Sequence, residues 1–414
     1  MPSVEDIDLT DWGFWRRPPD ERHAAFRILR YEPGLIRFEE PDIIIAPKGP
    51  GYYALTRHAD VVEASRRPQD FCSGKGAISI PDMPGDMHEY FGSLISMDDP
   101  RHAKIRRIVS RAFSPRMIQR FEDQVEAVAG GLAERLGADG TGDFVADVAA
   151  RLPLKIICDM MGIGAEHYRA VLEATNVILA GNDAEFLPTG DVEQHALALL
   201  TAGQTLKDLV EEIGRERRRD PADDLISALV NANIDGESLT DQELGSFFIL
   251  LVVAGNETTR NAIAHGLDLF TREPAQRALL TAGFDARMPG AVEEIVRYVS
   301  PVIWMRRTVT RDTMLNDHEV KEGDKLLLYY GSANRDETVF TEPERFDILR
   351  DPNPHVGFGG PGPHFCLGAH LARREITVMF RELLRRHPGI RADGEPERLE
   401  SNFINGIKRL PYAL

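Results

Sequence analysis

The apolar residues of this chain recur mainly at the spacing of an amphipathic helix. After Gly368, for example, Leu371, Ile376, Met379 and Leu383 follow this spacing, with arginines between them. The same pattern predicts helices over residues 103–113, 115–136, 154–161, 165–179, 192–219, 241–270, 274–282 and 290–299. The pattern therefore predicts a mainly α protein.

Short strand-like stretches lie between and after these helices. Residues 51–55 and a tail from Phe403 are strand-like, and residues 314–332 alternate around a hairpin turn predicted at 322–324. A Gly- and Pro-rich stretch, 73–92, predicts a long loop with a short helix. Since no linker or repeat divides the chain, we expect a single domain over residues 1–414. Its minor β part is expected at roughly 30–70, 300–335 and 395–414, and its helical part at roughly 98–299 and 366–387.

The composition is that of a globular protein with ample core, with 43% hydrophobic and 28% charged residues in 414. A formal charge of −17 disfavours nucleic acid or an anionic membrane as a partner. The longest apolar run, 247–254, is far shorter than the ~20 residues of a membrane span. The first residues lack the pattern of a signal peptide. We therefore expect a cytoplasmic protein with no nucleic-acid partner and no integral membrane association.

Cys366 differs from the other two cysteines in its setting. Cys72 and Cys158 are isolated, so the three cannot form a disulfide framework or a paired-cysteine metal site. Cys366 follows a glycine-rich loop, 357–363, and precedes the last long helix. A helix N-terminus favours a thiolate, and a lone thiolate is a candidate axial ligand for haem iron. The alternative is a buried, inert cysteine beside a turn, the commoner state of a free cysteine.

The long helix predicted over 241–270 contains an acid beside an alcohol, Glu257 and Thr258, among apolar residues. Gly255 costs this helix about 1 kcal/mol relative to alanine, which close approach of a ligand to the backbone would explain. A hydroxyl that bonds dioxygen and a carboxylate that relays protons would use these residue types. Alternatively, Thr258 bonds the carbonyl one turn back. The residues alone leave both interpretations open.

Glu294 and Arg297 form an acid–base pair three residues apart on a predicted helix. Surface pairs of this kind are common and contribute little, so the spacing alone is weak evidence. The pair is followed along the chain by Arg307, by a Pro- and Arg-containing segment, 340–350, and by Cys366. This order of features is stronger evidence than the spacing that the pair is more than a common surface pair.

The chain resembles the bacterial soluble cytochromes P450 in four motifs that follow one another in the order of that family. The motifs are Ala254-Gly255-x-Glu257-Thr258, Glu294-x-x-Arg297, Pro343-x-x-Phe346 and Gly362-x-His364-x-Cys366-x-Gly368. Residues 98–102 with Arg106 also resemble the helix that binds the haem propionates in this family. The resemblance implies a helix-rich triangular prism with small β-sheets. It also implies a haem-thiolate monooxygenase that carries haem b, iron protoporphyrin IX.

The resemblance also implies roles for individual residues. Cys366 would be the proximal thiolate, and Glu257 with Thr258 the distal acid–alcohol pair. The haem-binding residues would be His102, Arg106, Ala254, Arg307, Phe358, His364, Cys366 and Gly368. Among them, the histidines and arginines would pair with the propionates. Glu294 and Arg297 would form a buried network, with Arg350 favoured over Arg345 as its third member.

The loop before Cys366 is one residue longer than in the commonest family pattern. Phe358 stands eight residues before Cys366 instead of seven, which leaves its packing against the sulfur open. This loop, with residues 159–163 and 247–263, resembles the subgroup that ω-hydroxylates methyl-branched lipids. We therefore expect ω-hydroxylation of methyl-branched fatty acids or isoprenoid lipids. The alternatives are steroid (cholesterol or cholestenone) side-chain terminal hydroxylation, a peroxygenase, and a non-catalytic haem-binding protein.

The substrate and the redox partner follow from the same resemblance. The candidates for substrate contact are Phe91, Ile95, Met97, Phe248, Val253, Val302, Trp304 and Phe403, each of which could equally be core. Without a flavin or iron–sulfur motif in the chain, electrons are expected from a separate ferredoxin and ferredoxin reductase. Basic residues that could dock an acidic ferredoxin are Arg107, Arg111, Arg373 and Arg374, unless they are solvated or internally paired.

Overall fold

Helices dominate the computed structural model, which describes residues 3–41, 48–83, 87–112, 115–136, 140–187, 192–232, 236 and 238–414. Its α-helices are α1 (Trp12–Trp15), α2 (Pro19–Tyr31), α3 (His58–Arg66), α4 (Met87–Gly92), α5 (Arg101–Ala112), α6 (Pro115–Arg135), α7 (Arg151–Met161), α8 (Tyr168–Leu179), α9 (Val192–Arg219), α10 (Leu225–Val230), α11 (Asp241–Arg272), α12 (Pro274–Thr281), α13 (Phe284–Val299), α14 (Tyr330–Ala333) and α15 (Ala369–Arg386). The mainly α class is confirmed, with 55% helix and 11% strand. Residue 113, the predicted end of one helix, lies outside the described residues.

Helices α7 and α13 begin at least three residues earlier than the hydrophobic pattern predicts, and both contain a proline. Helix α7 begins at Arg151 with Pro153 in its first turn, where a missing N–H costs no intrahelical bond. Helix α13 begins at Phe284 and includes Pro289, so the predicted start at residue 290 is wrong. The prediction stopped at the proline because proline usually ends a helix pattern.

Short strands form four small sheets in the described chain. The strands are β1 (Ile36–Phe38), β2 (Tyr52–Leu55), β3 (Phe71–Cys72), β4 (Thr141–Asp143), β5 (Trp304–Val309), β6 (Thr313–Leu315), β7 (His318–Val320), β8 (Lys325–Tyr329), β9 (Arg391–Ala392), β10 (Glu397–Arg398), β11 (Ile407–Arg409) and β12 (Pro411–Ala413). The largest sheet has the order β1-β2-β8-β5-β3. Only its β2–β8 pair is parallel among these described strands. In it, Arg307 of β5 pairs with Leu326 of β8.

Two predictions about the β part are corrected by the structure. Strand β4 lies inside the part predicted to be helical, 98–299, because it pairs with β12 at the far end of the chain. The hairpin predicted around 322–324 is also wrong, since β6 and β7 pair around Asn316, which has a positive φ of 49°. Gly323 instead donates its N–H to the Val309 carbonyl at the end of β5. Both Asn and Gly adopt this left-handed conformation readily, so the sequence permits a turn at Asn316 and at Gly323.

Helix α11 runs between the two largest apolar clusters of the molecule. Its first half, including Phe248 and Val252, packs with α5, α7 and α9. Its second half, including Ile263 and Phe270, packs with α6, α13 and α15. The polar residues 256–261 lie where these clusters meet. Although α11 has 32 residues, neither it nor any other described helix is both long and apolar enough to span a membrane.

His265, in the second half of α11, is expected to make the stability of the protein depend on pH. Burial, with Arg398 nearby, lowers the pKa of His265 to about 3, while its ring bonds the Asn405 carbonyl at 3.1 Å. The unfolded chain therefore binds a proton below about pH 6.5, whereas the folded protein does not. We expect about 1 kcal/mol of stability to be lost between pH 7.5 and 5.5 through this residue. Denaturant unfolding of wild type and His265→Gln at both pH values should show the smaller loss in the variant. Equal losses would contradict the assignment.

Candidate haem-thiolate site

The loop before Cys366 rests directly on the end of α3. A Cβ atom on Gly360 would lie 2.4 Å from the Ser65 hydroxyl, and one on Gly362 would lie 2.2 Å from the Ser65 carbonyl. Since no side chain fits there, the glycines permit a close contact between two backbones. The Cys366 N–H then donates to the Phe358 carbonyl at 3.0 Å. The extra loop residue is therefore accommodated while Phe358 stays beside the cysteine.

The Cys366 thiol is the accessible one of the three cysteines. Burial raises the pKa of the thiol, and the N–H groups of Gly368 and Ala369, with Arg106 nearby, act in the opposite direction. Gly368 caps α15, so the sulfur lies at that helix N-terminus, as predicted from the glycine-rich loop. Cys158, in contrast, is fully buried, and burial raises its pKa to about 12. Among these thiols, the surroundings of Cys366 suit a metal-bound thiolate.

Two arginines and two histidines converge beside this loop: His102 and Arg106 of α5, Arg307 of β5, and His364. The rings of His102 and His364 lie 4.3 Å apart. Burial, followed by the charges of Arg307, His102 and Arg106, lowers the pKa of His364 to about 2. Burial also lowers the pKa of Arg307.

The two arginines lack matching anions among the described residues. Neither Arg106, Arg307 nor His364 forms an ion pair with them, and His102 Nε2 and His364 Nδ1 are buried without a hydrogen-bond partner. Arg106 donates to the Phe365 carbonyl at 2.8 Å, next to the cysteine. A buried set of cations is unfavourable unless carboxylates join it. The site therefore fits a cofactor that brings two carboxylates beside a thiolate-ligated metal, as haem does.

Helix α11 presents a partly exposed stripe within its otherwise buried middle. Val253, Ala254 and Thr258 are half-buried, whereas Glu257 is buried. The Thr258 hydroxyl donates to the Ala254 carbonyl at 2.7 Å, which is the alternative considered for a helical threonine. A Cβ atom on Gly255 would lie 3.2 Å from the Ile157 side chain of α7. Helix α7 therefore packs closely against this glycine.

The carboxylate of Glu257 is bound away from Thr258. Its Oε1 accepts from Nη1 of Arg260 at 2.5 Å, one turn further along α11. Arg260 also donates to Asn176 Oδ1 of α8 at 3.0 Å. The structure thus places the predicted acid–alcohol pair on one helix without a bond between the two side chains. Arg260 was not predicted, although a cation three residues after a buried acid was a usable signal.

The Glu294 carboxylate is the centre of a buried network. It accepts from Arg297 Nε and Nη2, both at 2.8 Å, and from Arg350 Nε at 3.2 Å. Asn353 and the backbone N–H of Asp347 complete the set, at 3.1 and 2.9 Å. Glu294 and Arg297 are both fully buried. The structure thus places Arg350 against Glu294, where the sequence favoured it.

This network extends to the loop that holds the cysteine. Arg297 also donates to the carbonyls of Asn334 and Pro343, at 2.8 and 2.9 Å. The Asn334 side chain in turn accepts from the N–H of Val356 at 2.7 Å, where the loop begins. Arg345 contributes only its backbone carbonyl, while its side chain bonds an exposed glutamate. The Pro-rich segment and the loop are therefore fixed by one set of buried bonds.

The predicted substrate residues fall into separate apolar groups. Met97 and Phe248 are buried in the cluster of α5, α7 and α9, and Phe91, Ile95 and Val253 pack against it half-buried. Trp304 is buried in the N-terminal cluster with Phe403 against it, their rings 5.0 Å apart, and Val302 packs on a further cluster. A cleft of about 490 Å³ between α4, α9 and α11 is lined by none of the eight. The structure therefore does not gather them into one described pocket.

Arg373 and Arg374, two of the arginines predicted to dock a ferredoxin, have acidic partners among the described residues. Arg373 bonds Glu293 at 2.6 Å, and Arg374 pairs with Glu126. Arg107 and Arg111, on the outer face of α5, are exposed. The interpretation of internal pairing therefore holds for Arg373 and Arg374.

Comparison with known proteins identifies the family. The cytochrome P450 family model matches residues 86–282 and 288–407. The chain is a cytochrome P450. This P450 is 47% identical over 413 residues to a methyl-branched lipid omega-hydroxylase of Mycobacterium tuberculosis, covering 99% of this chain and 95% of the relative. It is 40% identical over 363 residues to a steroid C26-monooxygenase of Mycolicibacterium smegmatis, covering 86% and 82%.

A solved structure shows the same architecture. The fold matches that of a Mycobacterium marinum cytochrome P450 in complex with pseudoionone, with a TM-score of 0.93 and 40% identity. The match covers 100% of this chain and 99% of that one. The predicted P450 fold, the monooxygenase class and the thiolate-ligated haem of the family are confirmed.

Proposed function

We propose that this P450 hydroxylates the terminal methyl group of methyl-branched lipids, using electrons from a separate ferredoxin and ferredoxin reductase. The observation that carries the substrate proposal is 47% identity over 99% of the chain to a methyl-branched lipid omega-hydroxylase. Phe91, Ile95 and Val253, which pack half-buried against the cluster of α5, α7 and α9, suit a hydrocarbon chain. Steroid side-chain hydroxylation is the second candidate, supported by the 40% identical C26-monooxygenase.

The side chains of the site have separable tasks in this reaction. When bound, the haem supplies the reductive activation of dioxygen and the insertion of one oxygen atom into an unactivated C–H bond, the other leaving as water. Cys366 would bind its iron as a thiolate. Arg106, Arg307, His102 and His364 would hold its propionates. The Thr258 hydroxyl would donate hydrogen bonds and protons at the distal face, with Glu257 supplying them.

A binding screen tests the substrate proposal. The haem spin-state shift would be titrated with methyl-branched fatty acids, isoprenoid lipids and sterols, and the products of those that bind would be located by mass spectrometry. We expect the tightest binding and a terminal alcohol with methyl-branched fatty acids. A preference for sterols oxidised at the side-chain terminus would overturn this choice in favour of the second candidate.

The ferredoxin proposal rests on exposed charge at α5. Arg107 and Arg111 lie on its outer face, and α5 also carries Arg106, which reaches the backbone next to Cys366. An acidic ferredoxin bound there would lie near the thiolate side of the site. Electron transfer should slow as salt increases, and more steeply in wild type than in Arg111→Gln. A rate that does not depend on salt would contradict docking by charge.

Thr258→Ala is expected to uncouple electron consumption from hydroxylation. Without the hydroxyl, protons are no longer delivered at the distal face, so product per NADH should fall at least about tenfold while peroxide rises. Thr271→Ala is a matched control, because Thr271 also bonds a carbonyl one turn back on α11, at 2.8 Å, but far from the site. Unchanged coupling in Thr258→Ala would exclude the assigned role.

A further inference from the structure

Arg373, in the second turn of α15, lies against the loop that carries Cys366. Its guanidinium carbon lies 4.4 Å from the centre of the Phe358 ring, which is the distance of a cation–π contact. The Phe358 carbonyl in turn accepts from the Cys366 N–H at 3.0 Å. Burial raises the pKa of the Cys366 thiol, and the charge of Arg373 is among the effects that oppose this rise. Arg373 therefore acts electrostatically on the cysteine.

Glu293, on α13, balances the charge of this arginine. Its two carboxylate oxygens accept from Nε and Nη2 of Arg373, at 2.6 and 2.9 Å. This bidentate geometry fixes the plane of the guanidinium group. A carboxylate this close opposes the field of Arg373 at any group further away, such as Cys366. The effect of the arginine on the cysteine therefore depends on Glu293.

His355, at the start of the cysteine loop, holds the other side of the Glu293 carboxylate. Its Nδ1 accepts from the Gly357 N–H at 3.1 Å, so its Nε2 carries the ring proton and donates to Glu293 Oε2 at 2.9 Å. Only 4% of the His355 side chain is exposed. Although burial acts in the opposite direction, the hydrogen bonds of His355 and Arg373 lower the pKa of Glu293 to about 2. The carboxylate is therefore ionised at neutral pH.

The two arginines that act on Cys366 differ in what balances their charge. Arg106 donates to a backbone carbonyl and forms no ion pair with the described residues, which suits it to a haem propionate. Arg373 has a carboxylate of the protein itself, so its charge is balanced before haem binds. The pair of Arg373 and Glu293 is therefore free for a task other than holding the cofactor.

We propose that Arg373 and Glu293 are positioning residues that together set the reduction potential of the haem. Held on the Phe358 ring, Arg373 supplies positive charge beside the thiolate, and Glu293 limits the effect of that charge. Positive charge near the ligand of a metal favours the reduced state, because reduction adds an electron there. This inference rests on the proposed role of Cys366 as the thiolate ligand, and it holds whichever lipid is the substrate.

Potential shifts of opposite sign in two variants test the inference. Arg373→Met removes the positive charge at similar length, and Glu293→Gln leaves that charge unbalanced at equal size. The potentials would be measured by spectroelectrochemical titration of the lipid-free holoenzyme without ferredoxin. We expect the equilibrium constant for reduction to fall about fivefold in Arg373→Met and to rise about fivefold in Glu293→Gln, each about 40 mV for one electron. Unchanged potentials in both variants, or shifts of the same sign, would overturn the proposal.

Arg374→Met is the matched control for the charge of α15. Arg374 is the next residue of this helix, but it pairs with Glu126 of α6 instead of lying on Phe358. We expect the potential of Arg374→Met to stay close to that of wild type. A shift as large as that of Arg373→Met would show that the total charge of α15 sets the potential, and it would overturn the assignment to Arg373.

Arg373→Lys separates the charge of Arg373 from its geometry. Lysine keeps the charge but cannot bond both oxygens of Glu293 or stack its head group flat on Phe358. We expect a potential between those of wild type and Arg373→Met. If Arg373→Met does not bind haem, Arg373→Lys and Glu293→Gln carry the test, and wild-type potentials in both would overturn the proposal. A failed lipid screen would remove the proposed substrate and leave these potentials valid, because they are measured without lipid.

Discussion

Cys366→Ser is expected to abolish the strongly red-shifted absorption of the reduced carbon monoxide complex, and monooxygenase activity with it. That band requires iron ligated by a thiolate, and Cys366 is the exposed residue among the three cysteines. Serine keeps the size and the backbone N–H that donates to Phe358, so the loop should remain folded. Haem would still be held by the cations of α5 and β5, with a shorter-wavelength band.

Cys158→Ser and Cys72→Ser are the controls for this result. Both cysteines are buried, and neither lies at the glycine-rich start of a long helix as Cys366 does, so neither suits a metal ligand. Each variant should lose some stability through a buried hydroxyl and keep the red-shifted band. A band that survives in Cys366→Ser, or disappears in Cys158→Ser, would reassign the ligand.

Glu294→Gln is expected to destabilise the protein by about 3–5 kcal/mol. The substitution leaves Arg297, fully buried, and Arg350 without their carboxylate. An uncompensated buried charge costs far more than the pair contributes. Because Arg297 and Asn334 connect this network to the start of the cysteine loop, loss of haem should accompany unfolding. Denaturant unfolding followed by circular dichroism and by haem absorbance measures both.

Glu342→Gln provides the matched control for the buried network. Glu342 pairs with Arg345 at 3.2 Å, also three residues apart, but both side chains are more than half exposed. Exposed pairs contribute at most about 1 kcal/mol, so this variant should unfold almost as wild type does. If the two variants lost similar free energy of unfolding, burial would not explain how much the Glu294 network contributes to stability. Arg350→Gln should likewise cost more than Arg345→Gln.

The long helices could be predicted because their signal is local. Periodic apolar residues determine α11 and α15, and a glycine-rich loop before a helix indicated Cys366 without any contact being known. Strand β4 could not be found in this way, since its three residues are extended only because β12 pairs with them. The hairpin was misplaced because Asn316 and Gly323 both permit a turn, and only packing on β5 distinguishes them.

The sequence predicted the residues of the site better than it predicted the bonds and contacts between them. The preference for Arg350 over Arg345 agrees with the bonds to Glu294, whereas the contact of Gly255 with Ile157 of α7 was not indicated by the sequence. A glycine in a helix shows that something lies close, and sequence cannot say whether it is a ligand or another helix. The substrate residues could not be grouped, because side chains from α4, α11 and β5 meet only through the tertiary fold.

Arg106 and Arg307 beside the cysteine loop connect this enzyme to the haem supply of its cell. Their charges lack carboxylate partners among the described residues, and burial lowers the pKa of each, so binding of the propionates would also contribute to the free energy of folding. When haem is scarce, newly made chains are expected to spend more time partly unfolded, where proteases act on them. The abundance of the enzyme would then follow cofactor availability without a dedicated regulator.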